Sequence, residues 1–361
     1  MTYKPKILII DNDYNSLIKF RLELLKRLQA FFEVIVLTHT DSKNNFNKYD
    51  IDILHFDISR SSLSLGNVIK EFKQIRKVIS NKKPVIVLSF TTRCSFLNVM
   101  SNYYNNKIKI ISVIAGLGNL FQRRDLKGKI VSLIVKKTIS KSNLLIVLNN
   151  EILNFFNIKN SIMIPGEGVD LIRFKYQPRN RIRKYIFVGR LLKDKGILEL
   201  VEAFKIVEKI NPSLTLKLIL SLDNDNPEQI SLKDLEKMIG DNINIEINAK
   251  NVDYHLSQAD CFVFPSYHEG FSIACSEAVS SGLPVIVSDI PGCRELCDNA
   301  NGFLVEKKSV EHLKDAIIKM SLLNSEEVYK MSFNSRCLAS NKLDQTKQSK
   351  LFFDIIVSQV N

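Results

Sequence analysis

Cys261-Phe262-Val263-Phe264-Pro265-Ser266-Tyr267-His268-Glu269-Gly270-Phe271-Ser272-Ile273-Ala274-Cys275-Ser276-Glu277-Ala278 opens on a short apolar, β-prone run, breaks at a proline and turns through Gly270 into a helical stretch ending near residue 281. Gly282-Leu283-Pro284 then closes the helix, and Val285 to Val287 begins a second short strand. Strand, loop, helix, turn and strand in so short a span is the unit from which a parallel sheet is built, because parallel neighbours need a crossover.

The same alternation extends in both directions. Strands are expected at Tyr185 to Val188, Leu214 to Leu220, Ile243 to Ile247, Cys261 to Phe264, Val285 to Val287 and Phe303 to Val305, with helices near 196–210, 252–258, 273–281 and 309–322. The first half reads likewise, with strands at Lys6 to Ile10, Val34 to Leu37, Ile53 to Phe56, Val85 to Ser89, Ile108 to Ile114 and Leu144 to Leu148. Its first helix, Ser16 to Ala30, lines Leu17, Leu24, Leu25 and Leu28 on one face. Around Pro165-Gly166-Glu167-Gly168 and the basic stretch to Lys184 the pattern stops. The chain therefore divides into a first α/β domain over 1–168, a linker over 169–184, a second α/β domain over 185–344 and a final helix over 345–361. Two Rossmann-like, doubly wound domains facing a cleft bind ligands beyond the carboxyl ends of their strands.

A length of 361 residues fits two domains, and 45% hydrophobic with 25% charged residues is globular composition. No apolar stretch approaches the roughly 20 residues of a membrane span, and Ile7 to Ile10 is too short for a signal peptide. A cytoplasmic, non-spanning protein is expected. The net charge of +13 is unevenly placed: residues 1–150 hold 25 Lys and Arg against 10 Asp and Glu, the remainder 26 against 28. The excess on the first half points to an anionic partner, nucleic acid or anionic lipid. No zinc finger, aromatic RNA-binding motif or recognition helix supports nucleic acid. Six cysteines and five histidines follow no disulfide or metal spacing. Asp-x-Asp triplets at 11–13, 50–52 and 223–225 are scattered, and no metal is expected.

Three loops carry the chemistry. In Val188-Gly189-Arg190-Leu191-Leu192-Lys193-Asp194-Lys195-Gly196, Gly189 permits close approach while Arg190 and Lys195 can converge on an anion. In the opening stretch, the amides from Gly270 to Ile273 at a helix start suit a phosphate. Ser272 can cap the helix or touch that phosphate. Glu269 and Glu277 bracket the anion position, which suits a ligand with hydroxyls on either side of a diphosphate. Such a ligand is a nucleotide sugar.

These residues resemble the retaining GT-B glycosyltransferases of family 4. The hallmark Glu-x7-Glu matches Glu269 to Glu277, Pro-Ser-x-x-Glu-Gly-Phe matches Pro265 to Phe271, and the motifs at Val188 to Gly196 and Gly282 to Gly292 follow the family pattern. The first domain resembles one bacterial branch at Phe20 to Leu25, at Asp57 to Leu63, at Ser89 to Arg93, where Arg93 replaces Lys, and at Ala115-Gly116-Leu117-Gly118-Asn119-Leu120-Phe121. That branch includes enzymes adding N-acetylgalactosamine to undecaprenyl-diphosphate-linked saccharides.

The resemblance implies a retaining, metal-independent transferase moving a hexose or N-acetylhexosamine, best GalNAc, from a UDP-sugar to a lipid-linked saccharide in bacterial surface-polysaccharide or glycan assembly. It implies catalysis by Glu269, Arg190 and Lys195, donor contacts from Gly189, Gly270, Phe271, Ser272 and Glu277, and acceptor contacts from Arg21, Arg93, Gly116, Gly118 and Asn119. The last helix would cross back onto the first domain. The acidic Asp11-Asn12-Asp13 departs from the small residues usual in that loop, so no donor contact is expected there. Residues 123–141, with Arg123, Arg124, Lys127 and Lys129 among apolar side chains, suit an anionic membrane surface at the inner face of the cell membrane. A UDP-sugar epimerase of the same fold would need an acid and base pair at the sugar, which Glu269 alone does not supply.

Overall fold

The central apolar runs carry no polar alternation: Ile7 to Ile10, Ile35 to Leu37 and Leu144 to Val147 are buried throughout. Strands of that kind sit inside parallel sheets covered on both faces. A computed structural model, which describes residues 4–40, 49–58, 65–117, 125–223, 226 and 228–360, shows such a sheet twice. The chain packs as two compact units, residues 1–167 with 346–361, and residues 168–345.

In the first unit the chain runs β1 (Lys6–Asp11), α1 (Tyr14–Phe31), β2 (Glu33–Thr38), β3 (Asp52–His55), α2 (Leu65–Lys82), β4 (Ile86–Phe90), α3 (Thr92–Asn102), β5 (Lys109–Ile114), α4 (Leu126–Ile139), β6 (Leu144–Val147), α5 (Asn150–Phe156) and β7 (Ser161–Met163). Among the described residues its sheet has the order β3-β2-β1-β4-β5-β6-β7, every pair parallel. The second unit runs β8 (Lys184–Arg190), α6 (Ile197–Ile210), β9 (Thr215–Ser221), α7 (Leu232–Met238), β10 (Ile243–Ile247), α8 (Val252–Ser257), β11 (Cys261–Phe264), α9 (Ile273–Ser280), β12 (Val285–Ser288), β13 (Gly302–Val305), α10 (Val310–Ser321) and α11 (Ser325–Lys342). Its strand order is β10-β9-β8-β11-β12-β13, again parallel. Strand order reverses between β1 and β4 in one sheet and between β8 and β11 in the other. Loops diverge at such a reversal, and the crevice they leave beyond the carboxyl ends is the usual ligand site.

Most strand limits shift by a residue, and two differences from the sequence reading bear on the site. β8 continues through Gly189 and Arg190, because Gly189 and Arg190 pair with Leu220 and Ser221 of β9. The stretch read as a linker, 169–184, is packed into the second unit: Val169, Phe174 and Ile182 join its core. The buried Arg179 guanidinium donates to the carbonyls of Ala259 at 2.7 Å, Leu256 at 3.1 Å and Ser257 at 3.2 Å. A Pro-containing basic segment looks like a tether in sequence; here its spaced apolar residues and one buried arginine anchor it without regular structure.

The final helix α12 (Gln345–Val357) packs with the first unit, burying Phe352 and Ile356, and Arg27 Nε donates to Ser349 Oγ at 2.9 Å. In the second unit Val169 and Asp344 form a parallel bridge, so the chain leaves that unit beside the point where it enters.

Candidate active site

At the β8/β11 reversal two loops are drawn together by backbone geometry. Gly196 takes φ +69°, and a Cβ there would lie 2.2 Å from the Pro265 carbonyl oxygen, so only glycine lets the Lys193–Lys195 turn press against the loop after β11. The contact is sealed by hydrogen bonds from the Tyr267 amide (2.7 Å) and Ser266 Oγ (3.2 Å) to the Asp194 carbonyl. Tyr267 Oη also donates to the Glu199 carboxylate on α6. A third loop closes on the second at Gly292, with φ +85°, whose absent Cβ would lie 2.6 Å from the Gly270 carbonyl oxygen. The left-handed turn thus sits at Gly292 and Gly196, whereas Gly270 has no positive φ and supplies the backbone against which Gly292 packs. Glu295 holds this third loop by accepting from the Gly292 amide at 2.6 Å.

This scaffold puts Lys195 Nζ 2.7 Å from Glu269 Oε1, which also accepts from Ser266 Oγ at 3.2 Å. The pair is partly buried, so its charge is weakly screened. Arg190 does not converge with it in this structure: the guanidinium, half exposed, donates to Asp223 Oδ2 at 2.8 Å. Gly189 serves packing, since a Cβ there would meet the Phe187 ring at 2.9 Å. Phe271 packs on the core of the second unit.

Helix α9 begins at Ile273, so Gly270 to Ser272 form its approach. Of the two roles open to Ser272, the cap is the one seen in this structure. Its hydroxyl caps the helix, accepting from the Cys275 amide at 3.2 Å, and its amide donates to the Gly292 carbonyl at 2.9 Å. The amides of Ile273 and Ala274 remain as the helix-start donors, the groups that every helix N-terminus leaves for an anion. Glu277 is buried, 6% exposed, so it is no solvated helix carboxylate.

In the first unit two residues expected at the acceptor, Arg21 and Arg93, have carboxylate partners. Arg21 is buried; its Nη1 lies 2.8 Å from Asp11 Oδ2, its Nη2 2.6 Å from Glu167 Oε1, and its guanidinium stacks 4.1 Å above the Phe90 ring. Burial raises the Asp11 carboxyl above its usual range and Arg21 opposes that rise. Asp11 therefore faces Arg21 and not an approaching phosphate, and Asp13 caps α1 by accepting from the Ser16 amide. Arg93 is held by Glu71 of α2, with Nη2 at 2.8 and 2.9 Å from its two oxygens, joining α3 to α2. Gly116 accepts from Thr92 Oγ1 at 3.2 Å through its carbonyl, tying the loop after β5 to the start of α3. Gly118, Asn119, Arg123 and Arg124, and the segment from Ser59 to Leu63, lie outside the described residues. Lys127 and Lys129 are exposed on α4.

No cysteine is poised as a nucleophile among the described residues: five of six are buried, and burial pushes Cys297 up to about 12. Among the described residues no cluster of three or more His, Cys, Asp or Glu side chains is gathered for a metal. Of the Asp-x-Asp triplets, Asp11 pairs with Arg21, Asp52 with Lys82 and Asp223 with Arg190. His268 next to Glu269 is held below its usual value by burial and by Lys307, Lys308 and Lys195. The positioning parts that sequence reasoning did not assign are Gly196, Gly292, Glu295 and the Tyr267–Glu199 pair. The Pro291-Gly292 punctuation was their one visible signal.

Residues 169–336 match the family model described as Glycosyl transferases group 1. The chain is similar to the capsular polysaccharide biosynthesis glycosyltransferase CapM of Staphylococcus aureus, 24% identical over 370 residues that cover 96% of this chain and 93% of that one. It is also similar to the N,N'-diacetylbacillosaminyl-diphospho-undecaprenol alpha-1,3-N-acetylgalactosaminyltransferase of Campylobacter jejuni, 24% identical over 335 residues, 88% of this chain and 89% of that one. Among solved structures, HepE of Anabaena in complex with UDP superposes with a TM-score of 0.80 at 15% identity, over 98% of this chain and 100% of the other. The architecture is the GT-B fold.

Proposed function

We propose, from the match of residues 169–336 to the group 1 glycosyltransferase model, that this chain moves a hexose or N-acetylhexosamine, with retention, from a UDP-sugar to a lipid-linked saccharide in the assembly of a bacterial surface polysaccharide. The observation that carries this reading is the Lys195–Glu269 pair beside the start of α9 at the strand reversal. A lysine holding one carboxylate can exchange it for a phosphate oxygen, and the freed carboxylate can then take sugar hydroxyls. Lys195, Arg190 and the amides of Ile273 and Ala274 at the start of α9 stabilise the charge that grows on the leaving diphosphate. Glu277 takes the ribose hydroxyls.

The acceptor hydroxyl attacks the anomeric carbon on the face from which UDP departs, the bond to UDP breaks, and the acceptor proton passes to a donor phosphate oxygen. No protein nucleophile and no divalent cation are needed, since fixed cations occupy the diphosphate end. GalNAc is the favoured donor sugar and an undecaprenyl-diphosphate-linked saccharide the favoured acceptor, by similarity to the Campylobacter transferase, whose name states both. The protein works peripherally at the inner face of the cell membrane.

Incubation with a panel of UDP-sugars and undecaprenyl-diphosphate-linked saccharide, read by mass spectrometry and by the anomeric coupling of the product, tests the reading. A glycosylated lipid with the donor's anomeric configuration is expected, undiminished by EDTA. Epimerised donor with untouched acceptor would replace transfer by epimerisation, and full loss in EDTA restored by Mn²⁺ would reinstate a metal.

A further inference from the structure

Helix α4 is amphipathic in the wrong direction for a helix that packs only on its own sheet. Its inner side is small, Gly128, Val135 and Ile139, while Leu126, Ile130, Leu133 and Ile134 are 75, 51, 65 and 52% exposed. These four stand at i, i+4, i+7 and i+8, the spacing of one continuous helical stripe. Water thus meets the ridge that such a helix ordinarily buries. At 100° per residue Lys127 and Lys129 fall on either flank of the stripe and Lys137 at its far end. Asp125 caps the helix through the Gly128 amide, and no acidic side chain stands within α4.

The chemistry continues past the helix. Tyr103, at the end of α3, is 44% exposed beneath the Lys141 ammonium, 4.0 Å from its ring, and the neighbouring Tyr104 is 92% exposed. Apolar ridge, flanking lysines and adjacent amphipathic tyrosines are the components of an interfacial surface. The apolar part enters the acyl boundary, tyrosines sit at headgroup depth, and lysines reach anionic headgroups. A second copy of this chain would bring the same lysines against themselves, and like charges oppose that pairing.

We propose that the outer face of α4, with Tyr103 and Tyr104, inserts into an anionic membrane through the stripe Leu126, Ile130, Leu133 and Ile134, the lysines setting orientation and attraction. This deepens the transferase reading, on which it rests for its purpose, by assigning the membrane contact to an apolar ridge in addition to basic charge. Mixed attachment has its own signature: salt screens the lysines and leaves apolar insertion in place.

The test is co-sedimentation of the full chain with phosphatidylglycerol-containing vesicles and with pure phosphatidylcholine vesicles, at low and high salt, without nucleotide sugar. The expected result is strong binding to anionic vesicles that weakens but persists in salt. Changing Leu126, Ile130, Leu133 and Ile134 together to Gln should lower partitioning about a hundredfold, since each buried aliphatic side chain contributes enough for severalfold or more. What binding remains should vanish in salt. As a second measure that needs no multiple variant, Leu133→Cys carrying an environment-sensitive fluorophore should shift to the blue on anionic vesicles, while the same label at Leu322→Cys in the second unit should not. Wild-type protein left in the supernatant, equal binding to both vesicle types, no shift at position 133, or a solution dimer abolished by the Gln variant would each overturn the proposal. Vesicle binding without any sugar transfer would leave the docking intact and count against the transferase reading alone.

Discussion

At the β1/β4 reversal one arginine stands tightly between two carboxylates, Asp11 and Glu167, in a cluster closed over by Phe90; at the β8/β11 reversal Lys195, equally buried, holds Glu269 at 2.7 Å with Asp194 farther off at 3.9 Å, and Arg190 is half exposed. Both places are the same topological position, though the loop after β1 is acidic and its arginine comes from α1, whereas the basic residues after β8 come from the strand end and its loop. The first set of charges completes the fold. The second has one close partner per cation, near donors at a helix start, so an incoming diphosphate can replace those partners. Lys195 is as buried as Arg21, so the number and tightness of the partners, and not burial, separate these two cations, and sequence spacing does not report them.

The sharpest way to break that contrast is Arg21→Ala. It leaves Asp11 and Glu167 facing each other in the interior, and removing one member of a buried ionic set costs about 3–5 kcal/mol. Denaturant unfolding should show this loss, with the surviving folded protein still binding UDP. The sign with pH follows from Asp11. Its folded pKa lies above the ordinary value of 3.8, so the neutral form is the one folding favours, and that contribution is lost as pH rises through the raised value. The Arg21→Ala deficit should therefore be greatest at neutral pH and shrink on acidification. A variant of unchanged stability with lost UDP binding would exchange the roles of the two regions.

Lys195→Ala and Glu269→Ala should do the reverse, retaining the melting temperature within a few degrees while turnover falls about 10² to 10³-fold. Near-normal turnover in folded Glu269→Ala would remove it from the site. Glu277→Ala should mainly weaken UDP affinity by calorimetry, because a ribose contact is equal in ground and transition states.

Gly292→Ala probes the scaffold between these extremes. Its φ of +85° and the 2.6 Å approach to the Gly270 carbonyl cost more than about 1 kcal/mol when a Cβ is added, and the loop carrying Glu269 must shift. Turnover should drop at least about tenfold, a larger effect than the stability loss alone produces. The smallest expected effect is His268→Gln. The imidazole is held below 6.5 in the folded protein, so its contribution is complete above that value and declines as pH falls toward the lower folded one. Wild type should lose a little stability as pH falls below 6.5 that the Gln variant does not.

Why the fold was legible and part of the site was not follows from particular residues. Cys261 to Phe264 matches its observed limits because a strand buried on both faces is apolar at every position, and Ile243 to Ile247 matches because its isoleucines alternate with Asn244 and Glu246 as on an edge strand. The meeting of Glu269 with Lys195 could be read because their motifs place them on loops that pack together at Gly196 and Pro265. Arg93 and Arg21 could not, since their partners Glu71 and Glu167 are distant in sequence and nothing local announces them. For α4 the sequence showed basic and apolar residues together, and packing adds which of the apolar ones face outward: Leu126, Ile130, Leu133 and Ile134.

The bridge between Val169 and Asp344 makes the second unit an insertion in the first, entered and left at one doorway. On the ribosome the first sheet is therefore made early yet waits for the whole second unit to emerge before α12 can bring Phe352 and Ile356 to it. Until then the nascent first unit displays the face those side chains later cover. Translation order thus makes the second unit, with its uninterrupted run of chain, the one able to finish folding first.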